Sequence, residues 1–529
     1  MLREASYYFR MVAGVYQWAR CPLEPDPRGL VRRTLEKRDD NFLYLMREAV
    51  FANPSNPFHT LFHWAGCTYQ DLEQSVRGNG LEPTLESLRK AGVYLRHDEF
   101  KGKRPIERGG RQLAVHTADF ANPLVQGVID NPSAGSRSGG TFTRLSLEHQ
   151  LYWEAQGHLF MEALGAHRHT LICVWPILPS TFSLRSAVFL PRRGTAFDRW
   201  FALGGTLRNS GHYRTMTKLL VLEARLLGVN APLPVFLPQN DFSPVARQIA
   251  RRRSEGVDCL LSSTVSNVVR VAAAAADAGL DISGTLVRTA GEALTDPKRA
   301  VIEATGAKPY PTYSISEIGR IGGPCLQMDR GNCVHICRDS VAVISYRRAA
   351  PLTDVEIDSL MITPLVPFAP NVLVNVEMDD SGVLGPAQCD CSLKALGLTQ
   401  QVSDIFSYGK LTGQGMTLLG KDLLQILEIS LPHHFGGTPT DYQLVEQEGA
   451  NQTEIELRVN PRIGAVSEEK VKNFFLTEMK KLYGGTLSDR NWSQTNGFRV
   501  VLAEPYVTRN TDKVHPLHLL GTSRRQRGE

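Results

Sequence analysis

Between residues 241 and 320 the chain alternates short apolar runs with amphipathic stretches more regularly than anywhere else. The spacing predicts a helix over 244–255, a strand over 258–262, an Ala-rich helix over 264–278, a strand over 285–289, a helix over 296–304 and a strand over 308–313. Two consecutive strand–helix–strand units imply a parallel sheet, because parallel neighbours need a long crossover. Ligands in such sheets sit beyond the carboxyl ends of the strands. Here those ends are 289–293 and 313–319, both polar and both containing glycine. The alanine run at 272–276 reads as a core helix, since Ala is the best helix former and packs closely on a sheet.

Elsewhere the pattern is coarser. Residues 1–110 carry apolar positions at three- and four-residue spacings, notably over 30–46 and 69–91, and predict an all-helical cap. From 111 to 240, apolar runs at 171–178 and 187–190 alternate with polar or Pro/Gly breaks, with helices over 147–164 and 213–227, an α/β rhythm. Short strands follow, including 341–346 and 359–363. Gly409, Gly413, Gly415 and Gly420 then punctuate a hinge, and beyond it come a helix over 422–429, strands over 440–445 and 454–459, a helix over 467–482 and a strand over 498–502. The expected architecture is α/β: a large N-terminal domain, 1–408, with mixed and parallel sheets and a helical region at 1–110, plus a small mobile α+β domain at 409–529, hinged near 409–413. The Arg-rich tail at 522–529 is expected to be disordered.

Composition narrows the function. At 529 residues the chain exceeds one hydrophobic core, and 42% hydrophobic with 21% charged residues is ordinary for a soluble globular protein. A net charge of +5 over this length does not predict a nucleic-acid partner. The first twenty residues mix Arg, Glu and aromatic residues without an apolar signal core, and no apolar run reaches membrane-spanning length, so the expected location is the cytoplasm, with no membrane partner. The nine cysteines are odd in number and do not suggest a disulfide framework. They do cluster. Cys325, His335, Cys389 and Cys391 form a plausible tetrahedral zinc set, with Cys333 and Cys337 as alternatives for the first ligand.

One loop carries a second chemistry. Across 131–141, Ser133, Ser136, Ser138 and Thr141 alternate with Gly135, Gly139 and Gly140. Glycines allow positive φ and close backbone approach, and the hydroxyls add donors, which together suit a polyphosphate.

The serial order of motifs resembles the adenylate-forming superfamily of acyl-CoA synthetases, and within it the phenylacetate-CoA ligase branch. The segment 133–141 resembles its Ser/Thr/Gly phosphate loop. Thr289-Ala-Gly291-Glu292-Ala-Leu resembles the Gly-Gly-Glu-Pro-Leu segment on the adenine side, and Tyr313-Ser-Ile-Ser316-Glu317-Ile-Gly319 the Tyr-Gly-x-Thr-Glu segment. Asp379 falls where the family has Tyr-Arg-Thr-Gly-Asp, with Asp380 a credible substitute by a one-residue shift. Gly409-Lys410 resembles the Gly-Arg hinge, and Arg509-Asn-Thr-Asp-Lys513 the C-terminal Arg-Thr-x-Gly-Lys. Some members of the branch carry a structural zinc with a similar Cys…His…Cys-x-Cys pattern.

The resemblance implies an AMP-forming acid–thiol ligase that uses ATP and Mg²⁺ to adenylate a small, aromatic carboxylic acid and passes it to coenzyme A; a homodimer is compatible with it. Adenylation brings two anions together, so the site needs positive charge and a hard cation. By resemblance Glu317 coordinates Mg²⁺, Ser316 binds the α-phosphate, Asp379 binds the ribose hydroxyls, Tyr313 stacks on adenine, and Lys513 bridges the acid and the α-phosphate. The phosphate loop has Gly139-Gly140 where a Lys is common, which leaves Arg137 or Arg144 to supply the charge. Acid-pocket residues are expected from 149–175 and 265–269. Such departures leave open two alternatives: transfer to an amine, a carrier-protein thiol or another nucleophile, or a non-catalytic nucleotide-binding homologue.

Overall fold

The computed structural model describes residues 2–126, 129–132, 142–203, 211–238, 240–328, 332–349, 356–407, 423–448, 453–483, 498–508 and 511–520. Its centre is a twelve-stranded sheet with two characters. One half is parallel and runs, in spatial order, Lys308–Ile315, Leu286–Ala290, Cys259–Thr264, Thr170–Pro176, Phe197–Leu203 and Pro234–Phe236. The other half is antiparallel and begins where Lys308–Ile315 turns back into Gly319–Gly323. Cys259–Thr264 is buried along its whole length, which explains its unbroken run of apolar and small residues between crossover helices.

The helices of the parallel half, Ser243–Ser254, Val265–Asp277 and Asp296–Glu303, lie within a residue or two of their sequence-predicted bounds. Helix Leu147–Ala163 starts at Ser146, whose hydroxyl accepts from the His149 N–H at 3.1 Å. One prediction differs. The apolar run at 187–190 lies inside helix Phe182–Arg192 and is not a strand. Its Ala187, Val188 and Phe189 are buried in the core of the parallel half, so one face of a buried helix mimicked a short strand.

The N-terminal helices also do not form one body. Helix Leu2–Arg20 contributes Met11, Val15 and Trp18 to the core beneath the parallel half. Helices between residues 27 and 100 bury Phe42, Phe58, Phe62 and Leu85 against the antiparallel half. The described residues within 423–520 build a separate four-stranded sheet in the order Phe498–Leu502, Thr453–Val459, Tyr442–Glu448, Leu517–Leu520, with helix Glu468–Tyr483 over a core that includes Tyr442, Leu457 and Phe475. The strand Leu517–Leu520 was not foreseen. The predicted hinge at 409–413 lies outside the described residues.

This C-terminal unit docks on the carboxyl ends of the parallel strands through buried polar contacts. Lys298 Nζ meets Glu428 Oε1 at 2.7 Å, and Thr295 donates its hydroxyl to Glu428 at 2.6 Å. Asn267 donates to the Thr511 carbonyl at 3.2 Å, and the Val514 N–H donates to the Ser266 hydroxyl at 3.2 Å. No described helix is long and apolar enough to cross a membrane.

Candidate active site

Where the two halves of the sheet meet, and under the C-terminal unit, lies a cavity of about 360 Å³. Its floor is the strand ends Ala290–Ala293 and Thr312–Glu317, the two segments that the strand order singled out. Met378, Asp379 and Asp380 enter from the antiparallel half, Lys513 from the C-terminal unit, and His97 and Lys101 from the N-terminal helices.

Lys513 is 9% exposed and donates from Nζ to the Gly291 carbonyl at 3.0 Å. Gly291 has φ +78, and a Cβ there would lie 2.6 Å from the lysine Nζ. Only glycine both adopts that backbone conformation and leaves room for the ammonium. Glu317 lies in the same cavity, 4% exposed, with its Oε1 2.5 Å from Lys101 Nζ. Asn371 donates to the Glu317 carbonyl at 2.6 Å and pins the turn between the two halves. Ser316 lines the cavity beside it.

Tyr313, 8% exposed, donates its hydroxyl to Asp380 at 2.9 Å. Its ring is tied at the far end to the strand opposite, which fixes the plane it presents. Asp379 sits at φ +61, a left-handed conformation uncommon for anything but Gly, Asn or Asp. Its carboxylate lies 3.3 Å from Nδ1 of His97. Burial, reinforced by Lys101, holds the His97 imidazole below its ordinary range, so it is neutral at pH 7. Both aspartates that the sequence left as alternatives therefore face the cleft.

Glu292 also lines the cavity, but its Oε2 accepts from the N–H and the hydroxyl of Ser266, at 2.9 and 2.8 Å. It satisfies the amino end of helix Val265–Asp277, a second job that its motif did not announce. Ser133, Gly135, Ser136, Ser138, Gly139, Thr141 and Arg137 of the phosphate loop lie outside the described residues, as does Lys410. Arg144, the other suggested source of loop charge, is exposed and does not line the cavity. Lys101 does line it. Sequence reasoning missed Lys101 and His97 because they stand in a four-residue helix, His97–Phe100, and the turn after it, with no motif around them. Of the two segments from which acid-pocket residues were expected, 149–175 contributes Trp153 and Trp175 to the cavity lining and 265–269 contributes none; Phe182 and Arg185 also line it.

A second constellation lies within the antiparallel half. One ligand atom from each of Cys325, His335, Cys389 and Cys391 falls within 4.8 Å of all the others. His335 Nε2 is 3.3 Å from Cys389 Sγ and 3.2 Å from Cys391 Sγ. Its Nδ1 is 2.9 Å from the Leu398 carbonyl, which can only accept, so Nδ1 carries the proton and Nε2 turns its lone pair to the sulfurs. A hydrogen bond from Cys325 holds the Cys391 thiol well below the usual range, while Cys325 itself is raised. Of the three cysteines considered for the first ligand, Cys325 is the one in the cluster.

No family model and no curated protein matches the chain. Among solved structures it is similar to 2-hydroxyisobutyryl-CoA ligase in the postadenylation state in complex with R3-HIB-AMP, at a TM-score of 0.55 and 14% identity, over 92% of this chain and 88% of that one. The same ligase with 2-HIB-AMP and CoA in the thioesterification state gives a TM-score of 0.47 at 15% identity, over 95% and 94%. An anthranilate CoA ligase in complex with anthranoyl-AMP gives 0.42 at 9% identity, over 82% and 74%. The first likeness shows the fold alone: the chain has the architecture of that ligase.

Proposed function

We propose that the chain is an AMP-forming ligase, which joins a small carboxylic acid to the α-phosphate of ATP, expels pyrophosphate and then passes the acyl group to coenzyme A. The observation that carries this reading is the delivery of Lys513, from a separately folded unit, into the cleft that holds Glu317. Adenylation must overcome repulsion between a carboxylate and a phosphate, and an ammonium on a flexible stem suits a charge needed between them. In this reading Lys513 leaves the Gly291 carbonyl for the two reacting oxygens. The acid carboxylate attacks the α-phosphorus, the acyl–phosphate bond forms, and the bond to the β-phosphate oxygen breaks with its electron pair retained by pyrophosphate.

The remaining roles are those the resemblance implies, and the place of each residue in the cleft supports them. Tyr313, braced by Asp380, offers its ring to adenine. Asp379 holds the ribose, and Ser316 binds the α-phosphate. Lys101 supplies positive charge inside the cleft. A buried carboxylate facing the cleft with an ammonium as its counter-charge is a fitting Mg²⁺ ligand, and we assign Glu317 to it. The ion would neutralise charge on the departing phosphates. The three sulfurs and Nε2 fit a structural zinc, which would tie the Cys325 turn to the segment carrying Cys389 and Cys391. Trp153, Trp175 and Phe182 favour an aromatic acid. Pyrophosphate release that requires both ATP and an acid tests the reading, and acyl transfer that requires coenzyme A tests its second half. A chain that releases none with any acid is not this enzyme.

A further inference from the structure

One wall of the cleft carries a charge that no described residue balances. Arg185, in helix Phe182–Arg192, is 9% exposed and lines the cavity beside Trp153, Trp175 and Phe182. Its guanidinium lies over the Trp153 ring at 4.4 Å and the Phe182 ring at 5.6 Å. Among the described residues no carboxylate pairs with it and no acceptor takes a hydrogen bond from it.

Its charged neighbours make matters worse. Arg320 sits over the Trp153 ring as well, at 6.0 Å, and among the described residues Arg288 donates to the Ser262 hydroxyl, at 3.2 Å, and the Met161 sulfur, at 3.8 Å. Burial, then Arg320 and Arg288, bring Arg185 down to about 9, so it still carries its charge at neutral pH. His149, edge-on to Trp153 at 5.6 Å, is pushed to about 3 by burial and then by Arg185, and stays neutral. Its Nε2 is buried without a partner among the described residues. A buried cation without a counter-ion is unfavourable, and the faces of two aromatic rings offset that only in part. The missing anion has an obvious way in, because the cleft is where a substrate enters.

We propose that the acid activated here carries a second anionic group, a dicarboxylate in the simplest case, which Arg185 receives while the reacting carboxylate faces Lys513. The inference rests on the adenylation reading and adds the substrate class. The aromatic walls hold the body of the acid, and the guanidinium fork, which matches a carboxylate in two parallel hydrogen bonds, fixes its far end.

The test is pyrophosphate release by the full chain over matched pairs of acids, each aromatic or aliphatic monoacid set against its counterpart bearing a second carboxylate at the far end. The diacid should exceed its partner in kcat/KM by about 10–100-fold, the range for a charge-assisted pair. In Arg185→Gln that ratio should fall towards one, through KM for the acid. Equal or better use of the monoacids by the native chain overturns the inference and leaves the adenylation reading standing. So does an Arg185→Gln variant that keeps the native ratio, or one whose main change is a raised KM for ATP, which would give the guanidinium to a phosphate. Release with neither class removes the adenylation reading, and this inference with it. A thermal-unfolding scan guards against a trivial loss: removing an unpaired buried charge should leave Tm of the free chain equal or higher.

Discussion

The Cys/His cluster and the cleft are both constellations of chemically able residues, yet they are assembled in opposite ways. The cluster draws its four groups from one half of one sheet, and they already converge within 4.8 Å. The cleft draws Lys101 from the N-terminal helices, Glu317 from the sheet and Lys513 from the C-terminal unit, and these charges meet protein partners: Glu317 meets Lys101, and Lys513 meets the Gly291 carbonyl. A site that holds an ion for structural reasons gains from being complete within a single rigid element. A site that must admit two anions and release two products gains from parts that can separate.

The largest effect should come from dismantling the complete site. On the proposed zinc reading, Cys389→Ser would remove one of four ligands and should cost about 4–5 kcal/mol, a large loss of the kind that losing a metal produces. Thermal unfolding with and without a chelator checks it, alongside the metal content of the purified chain. A native chain that contains no zinc and whose Tm is indifferent to chelation would show the cluster to be four reduced side chains.

At the other site, Lys513→Ala should slow adenylation by about 10²–10³-fold, typical for loss of a group that meets charge developing in the transition state. ATP affinity, measured by equilibrium binding, should change little, because other residues hold the nucleotide. Thioester formation from a supplied acyl-adenylate should survive. Equal loss in both half-reactions would mean that Lys513 holds the two units together instead of acting on the acid.

Gly291→Ala asks how closely the two units must approach. Its φ of +78 makes any side chain costly by about 1–2 kcal/mol, and the new Cβ would meet the Lys513 ammonium. The ammonium is the free end of a long side chain and can move aside, so stability should fall modestly while adenylation falls by about 10-fold. A variant that adenylates at the native rate would show that Lys513 works from somewhere other than this carbonyl.

How much of each site could be read in the chain follows from the same contrast. Cys389 and Cys391 stand two apart and His335 lies in a local Cys-rich stretch, so short-range spacing revealed the cluster. The parallel strands were legible because apolar periodicity reports burial, and burial is what their residues share. Lys101 and His97 were not legible, since their importance comes from where a turn of the N-terminal helices happens to pack. Arg185 was hidden for another reason: the neighbouring apolar run at 187–190 reads as a strand, and only the fold shows helix Phe182–Arg192 with its Arg185 turned inward. Glu292 lines the cavity, but its hydrogen bonds to Ser266 follow from the strand register and not from its motif.

The smallest effect should come from Tyr313→Phe, and it separates two aspartates that the sequence could not rank. Asp380 takes the Tyr313 hydroxyl, whereas Asp379, held at positive φ, turns its carboxylate towards a neutral His97. If Asp379 binds the ribose and Asp380 only braces the ring, losing the hydroxyl removes one neutral-to-charged hydrogen bond and leaves the ribose contact intact. The cost should be about 1–2 kcal/mol, a rise in KM for ATP of about 5–30-fold with kcat nearly unchanged. Asp379→Asn should raise the same KM for ATP further, and should also lower discrimination against 2′-deoxy-ATP, which Tyr313→Phe should not. If Asp380→Asn, and not Asp379→Asn, erases the preference for the ribose hydroxyl, the family's aspartate is displaced by one residue in this chain and the positive φ at Asp379 serves only to aim its neighbour.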